Sequence, residues 1–122
     1  MVGTLNARLV IVLVGLAAAS PALADAAAGQ KVFQGQCSTC HAAGRNGIGP
    51  NLAGVVGRPA GTEAGYKYSA AMTKSGLTWS PAELHTYLAA PRTAVPGTKM
   101  TYAGVKDVAK LDDVVAYLGT LK

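Results

Sequence analysis

Cys37-Ser38-Thr39-Cys40-His41 gathers both cysteines of the chain and one of its two histidines within five residues. This is the C-x-x-C-H spacing of covalent haem attachment. Two thiols three residues apart on one turn can each add to a vinyl group of the same porphyrin, and the imidazole that follows falls beneath the ring, where it can bind iron. Structural zinc needs four ligands. Only Cys37, Cys40, His41 and His85 are on offer, with Cys40 and His41 adjacent and no second cluster. A thioredoxin-like disulfide needs strands alternating with helices around the pair, yet period-two apolar runs are almost absent after the first segment.

That first segment reads as an address. Met1 to Arg8 carries one positive charge, Leu9 to Ala19 is apolar, and Ala22-Leu23-Ala24 is an A-x-A cleavage site before Asp25. The expectation is a secretory signal peptide over residues 1–24 that is removed, leaving one domain over residues 25–122 in the periplasm. A retained membrane anchor is the competing reading, although the apolar run is short for a span. Export suits the thiols, because the compartment is oxidising.

Removing 24 of 122 residues leaves 98, one domain near the lower limit for an independent core. Glycine and proline are frequent in the loops and aromatic residues few, so polypeptide packing alone looks thin. An apolar porphyrin would complete the core.

Four helices can be placed, and the fold class is all-α. The first follows Asp25, an N-cap residue, and runs to about Gln36. Residues 42 to 67, with Pro50, Pro59, Asn51 and several glycines, read as irregular loop. A short second helix spans Ala70 to Ser75 between Ser69 and Gly76. The third opens on Ser80-Pro81-Ala82-Glu83, a capping box with proline at the first helical position, and must stop before Pro91. The last starts near Asp107, with Leu111, Val114, Val115 and Leu118 recurring at helical spacing.

A second iron ligand must come from Met72, Met100 or His85. Met100 ends Pro96-Gly97-Thr98-Lys99-Met100, an irregular loop from which a thioether can be aimed inward, and is the assignment made. Met72 lies in a helix, where packing explains it, and His85 has polar neighbours and reads as a surface histidine. His41 with Met100 would leave no open site for substrate and would raise the potential over stronger donor pairs.

With these residues in place, the chain resembles the small cytochrome c2 and mitochondrial cytochrome c group of class I c-type cytochromes. The match runs through Cys37 to His41, Gly49-Pro50-Asn51-Leu52, Val56-Gly57-Arg58, Gly76-Leu77-Thr78-Trp79, Tyr87-Leu88, Pro96 to Met100, Tyr102-Ala103-Gly104 and Val115-Ala116-Tyr117-Leu118. The resemblance implies the small cytochrome c fold, about four short helices and loops around one covalently attached haem c, with the first and last helices crossing through Gly29 and Phe33 near Val114 and Tyr117. It implies that Pro50 offers its carbonyl to the far nitrogen of His41. By the same resemblance Arg58, Tyr68, Trp79 and Thr98 meet the haem propionates, and Tyr87 stands beside the methionine sulfur. Three departures stand out. The His41–Pro50 loop is three residues shorter than the mitochondrial pattern and carries Arg45, Met72 replaces a common asparagine, and Tyr102 replaces a usual phenylalanine, so its hydroxyl needs a partner.

The implied function is one-electron transfer by a soluble periplasmic carrier, not enzyme catalysis. Ten Lys and Arg after Arg8 face six Asp and Glu, about +4 before the propionates. Lys31, Arg92, Lys99 and Lys106 are expected to ring the haem edge and steer redox partners with acidic docking surfaces: a bc1-type complex, an oxidase, a reaction centre or a dehydrogenase. The protein is expected to be a monomer touching membrane complexes only peripherally. No basic run with interleaved aromatics suggests nucleic acid. The alternative is a haem enzyme or ligand sensor in which Met100 is displaceable. If the haem completes the core, a haem-free Cys37→Ala/Cys40→Ala variant should lack a cooperative thermal transition, and one matching that of the holoprotein would contradict this.

Overall fold

A computed structural model describes residues 3, 10–12, 14–15 and 23–122; the predicted leader therefore lies largely outside the described residues. Among the described residues five helices follow in order: α1 (Ala26–Gln36), α2 (Ala70–Thr73), α3 (Pro81–Ala89), α4 (Pro91–Ala94) and α5 (Val108–Leu118). Among the described residues the only extended pairing is an isolated antiparallel bridge between Pro59 and Thr78. The fold is all-α, and no described helix is long and apolar enough to cross a membrane.

Each of the four expected helices begins on a side-chain cap. Asp25 accepts from the backbone N–H of Ala27 and Ala28, Ser69 from Met72, Ser80 from Glu83 and Asp107 from Lys110. These bonds satisfy amides that the first turn leaves without helical partners. The second helix ends at Thr73, two residues earlier than expected, and Gly76 turns the chain with φ +68°.

A fifth short helix, α4, joins the four expected among the described residues. Pro91 stops α3, but a proline also suits the first position of a new helix, where its missing N–H has no helical acceptor anyway. Ala90 adopts φ −158° and ψ 82°, which breaks the chain direction, and Val95 N then donates to Pro91 O at 2.9 Å to close α4. Pro91 is among the most buried side chains of the protein.

The ends of the chain meet where α1 crosses α5. A Cβ placed on Gly29 would lie 1.9 Å from the Asp113 carbonyl oxygen, so only glycine permits this approach. Asp25 N donates to Asp113 Oδ1 at 2.8 Å, and the Phe33 and Tyr117 rings pack at 5.3 Å. Leu111, Val114, Val115 and Leu118 are all buried, Val114 to 1% exposure, as their helical spacing requires. Phe33, Leu84 and Leu88 belong to the same core.

Residues 57–60 run beside 77–79. Gly57 N donates to Trp79 O, Trp79 N to Arg58 O and Ala60 N to Leu77 O, at 2.8–2.9 Å, so the loop is pinned to the entry of α3. Gly29→Ala should destabilise the holoprotein by about 3 kcal/mol, the scale of forced overpacking, measured by urea unfolding; a change within experimental error would show that the crossing yields without cost.

Candidate haem site

The turn that carries the two thiols is a continuation of α1. Cys37 N and Ser38 N both donate to Phe33 O, at 2.8 and 2.9 Å, and Cys40 N and His41 N then fold back onto Cys37 O at 3.1 and 2.9 Å. Cys37, Cys40 and His41 thereby line one wall of a cavity of about 350 Å³, a size typical of ligand sites. Pro50, Arg58, Tyr68, Trp79, Tyr87, Thr98 and Met100 line it too, so the structure gathers every sequence-chosen site residue around one space. Its apolar surface includes Phe33, Leu84, Leu88, Val114 and Leu118. A wider, shallow depression of about 590 Å³ beside Pro81, His85 and Asp112 holds, of the residues weighed for the site, only the rejected ligand His85.

His41 Nδ1 lies 3.0 Å from Pro50 O. A carbonyl can only accept, so Nδ1 carries the hydrogen and Nε2 keeps its lone pair. Burial pushes the imidazole pKa down, against the smaller upward pull of the Pro50 bond, which favours the neutral, electron-donating ring. Gly49 makes this possible: a Cβ there would sit 2.4 Å from His41 Cε1. Both cysteines are free thiols. Burial, with Cys40 nearby, pushes the Cys37 thiol up to about 11, opposite to the lowered pKa of a dithiol redox motif. Among the described residues no group of three or more His, Cys, Asp or Glu gathers to hold a metal ion, and His85 instead pairs on the surface with Asp112 at 2.8 Å.

Two side-chain contacts anchor the loop that carries Met100. Thr98 Oγ1 and Tyr87 Oη share a hydrogen at 2.7 Å, joining the loop to α3. Lys99 Nζ donates to Lys67 O at 3.0 Å and lies 5.0 Å from the centre of the Tyr66 ring, joining it to the long loop. The Tyr102 hydroxyl donates to Gln36 Oε1 at the end of α1. Met72 is buried at 8% exposure and lines the cavity, and Trp79 packs on Tyr87 with ring centres 5.0 Å apart.

Sequence reasoning missed the frame around Arg58. Its guanidinium donates to Glu63 Oε2 at 2.7 Å, Asn51 O at 2.8 Å and Ala53 O at 3.3 Å. Glu63 N donates to Tyr68 Oη at 3.1 Å. Asn51 and Asn46 shape the same loop, with Asn51 Oδ1 accepting from Gly44 N and Ala53 N and Asn46 Oδ1 accepting from Asn51 N. No short-range pattern marks these partners; the asparagines in a glycine-rich stretch were the one available signal. The four basic residues expected at the haem edge are all exposed. Lys106 caps the carbonyls of Ala89 and Ala103, and Arg92 that of Thr101, so these charges also hold loops.

The donor set suits a haem: two thiols on one turn, an imidazole with Nε2 free, a thioether, an apolar wall, and Arg58, Tyr68 and Trp79 for acidic groups. Tyr87 adds a pH effect. Burial raises its phenol pKa, with the Thr98 bond opposing and Tyr66 adding a smaller rise, and burial likewise raises Tyr102. Below about pH 10 folded and unfolded chains both hold these protons. Above it the unfolded chain releases them first, so stability falls as pH rises. Thermal unfolding between about pH 9 and about pH 11, around the free phenol's range, should show a shallower alkaline decline for Tyr87→Phe than for wild type; parallel declines would count against this cause.

The Cytochrome c family model matches residues 26–122. The chain is 53% identical over 89 residues to cytochrome c2 iso-2 of Magnetospirillum fulvum, covering 71% of this chain and 93% of that one. It is 46% identical over 116 residues to cytochrome c2 of Blastochloris viridis, covering 91% of each. Among solved structures, cytochrome cH from Methylobacterium extorquens superposes with a TM-score of 0.76 at 52% identity, over 79% of this chain and 98% of that one. The chain therefore belongs to the cytochrome c family and has the small cytochrome c fold, made for one covalently bound haem c and for electron transfer rather than enzyme catalysis.

Proposed function

We propose that the protein is a soluble, monomeric one-electron carrier of the periplasm, in which Cys37 and Cys40 attach the haem and His41 and Met100 bind its iron. The observation that carries this reading is the shared cavity: two thiols, an imidazole with a free Nε2 and a thioether line one largely apolar space. The haem, when bound, supplies the one-electron couple. The chain supplies a fixed surrounding. Pro50 holds the imidazole in one tautomer and strengthens its donation. The Thr98 and Lys99 contacts restrain the Met100 loop, which favours keeping the same ligands in both oxidation states over releasing Met100 to a substrate. Phe33, Leu84, Leu88 and Val114 exclude water. Arg58, Tyr68, Trp79 and Thr98 serve the propionates, and Tyr87 stands by the methionine sulfur, its hydroxyl already held by Thr98.

The A-x-A site before Asp25 supports cleavage after residue 24 and export. The basic surface favours redox partners with acidic docking faces, such as a bc1-type complex, an oxidase, a reaction centre or a dehydrogenase, at rates that fall with salt. Met100→Ala should keep the haem attached, lose the weak far-red thioether-to-iron absorption band and lower the midpoint potential. An unchanged visible spectrum and potential would show that Met100 is not the ligand.

A further inference from the structure

We propose that Glu63 is a positioning residue for electron transfer: through Arg58 it lowers the reduction potential of the bound haem. The inference rests on the reading of the cavity as the seat of a His41/Met100-bound haem. Glu63 does not line the cavity, whereas Arg58 does. Their contact of 2.7 Å is well sheltered, the two side chains being 20% and 15% exposed. Glu63 Oε1 also accepts from Asn51 Nδ2 at 3.3 Å, and Arg58 Nη2 donates to Asn51 O at 2.8 Å. Glu63, Asn51 and Arg58 thus close a ring of hydrogen bonds that fixes where the guanidinium sits.

Glu63 is also isolated among the carboxylates. Of the six acidic residues, Asp25 caps α1, Asp107 caps α5, Asp112 and Asp113 lie on α5 and Glu83 lies on α3. Glu63 alone falls between residues 26 and 82, the stretch that supplies the thiols, His41 and Arg58. Oxidation adds a positive charge to the iron, so a guanidinium on the cavity wall favours the reduced state. A carboxylate 2.7 Å from that guanidinium competes with the acidic groups of a bound haem for its charge and its N–H donors, so its effect runs through Arg58, and limited solvent exposure leaves that effect weakly screened. A purely structural ion pair would change stability and leave the potential where it was.

Glu63→Gln keeps the size and a carbonyl acceptor while removing the charge. Equilibrium redox titration of the holoprotein should show a higher midpoint potential, with the reduced form favoured severalfold against a fixed redox couple and the visible spectrum unchanged. Glu63→Asp keeps the charge but withdraws it from Arg58; it should shift the potential the same way by less, and it decides the matter alone if the glutamine variant does not accumulate. In an Arg58→Gln background the Glu63→Gln step should be smaller. An unmoved potential in variants that keep the wild-type spectrum, or an equal step with and without Arg58, would overturn the inference. A wild-type spectrum without low-spin His/Met character would instead overturn the haem reading beneath it.

Discussion

The approach of α1 to α5 at Gly29 is the constraint on which the site depends. The thiols and His41 sit on a turn whose first hydrogen bonds end on Phe33 O, so their position is inherited from α1. That helix is located by a backbone contact that admits no side chain at Gly29 and by the Asp25–Asp113 bond. Phe33 faces Tyr117 one turn beyond Gly29 and also lines the cavity. One face of α1 therefore does two things: it closes the ends of the chain on each other, and it sets the wall from which a haem would hang.

Core and cofactor cavity share the same side chains. Phe33, Leu84, Leu88, Val114 and Leu118 belong to the buried cluster and also face the cavity. An apolar group seated in this space of about 350 Å³ would therefore add its buried surface to the same core that holds the helices together. The loops from residue 42 to 69 bury Val55 and Ala60 in the core, and side-chain bonds from Asn46, Asn51 and Arg58 to nearby backbone shape them.

What could be read from the sequence was what depends on neighbours a few residues away. Asp25, Ser69, Ser80 and Asp107 cap helices through bonds to amides two or three residues on, and the apolar spacing of α5 reports its own buried face. The C-x-x-C-H turn is equally local. The long loop was legible only as a loop. Pro91 carried two meanings, a stop and a start, and only the burial of its ring against the core decides for α4. The frame of Arg58 was not legible because Glu63, five residues away, is placed by a loop with no periodicity. The partner of Tyr102 is 66 residues distant, and nothing in either segment's sequence announces it. The ten candidate site residues came partly from chemistry, as with Cys37, Cys40 and His41, and partly from likeness to a family, as with Arg58 and Trp79; their convergence on one cavity is a property of the tertiary fold.

The thiols constrain the order of events. A Cys37 thiol pushed to about 11 by burial has far fewer thiolates near neutral pH than a free cysteine, whose pKa is about 8.5. If Cys37 attaches a haem, its thiolate would be more available while the turn after α1 is open to solvent than in the folded chain, where burial holds the thiol protonated. The cavity lining points the same way, since Phe33, Leu84, Leu88, Val114 and Leu118 belong to the core and to the cavity wall at once. Attachment at these thiols and folding would then be linked: an accessible turn would let the bonds form, and the bound group would bring in the apolar surface that Leu84 and Leu88 of α3, Val114 and Leu118 of α5 and Met100 share.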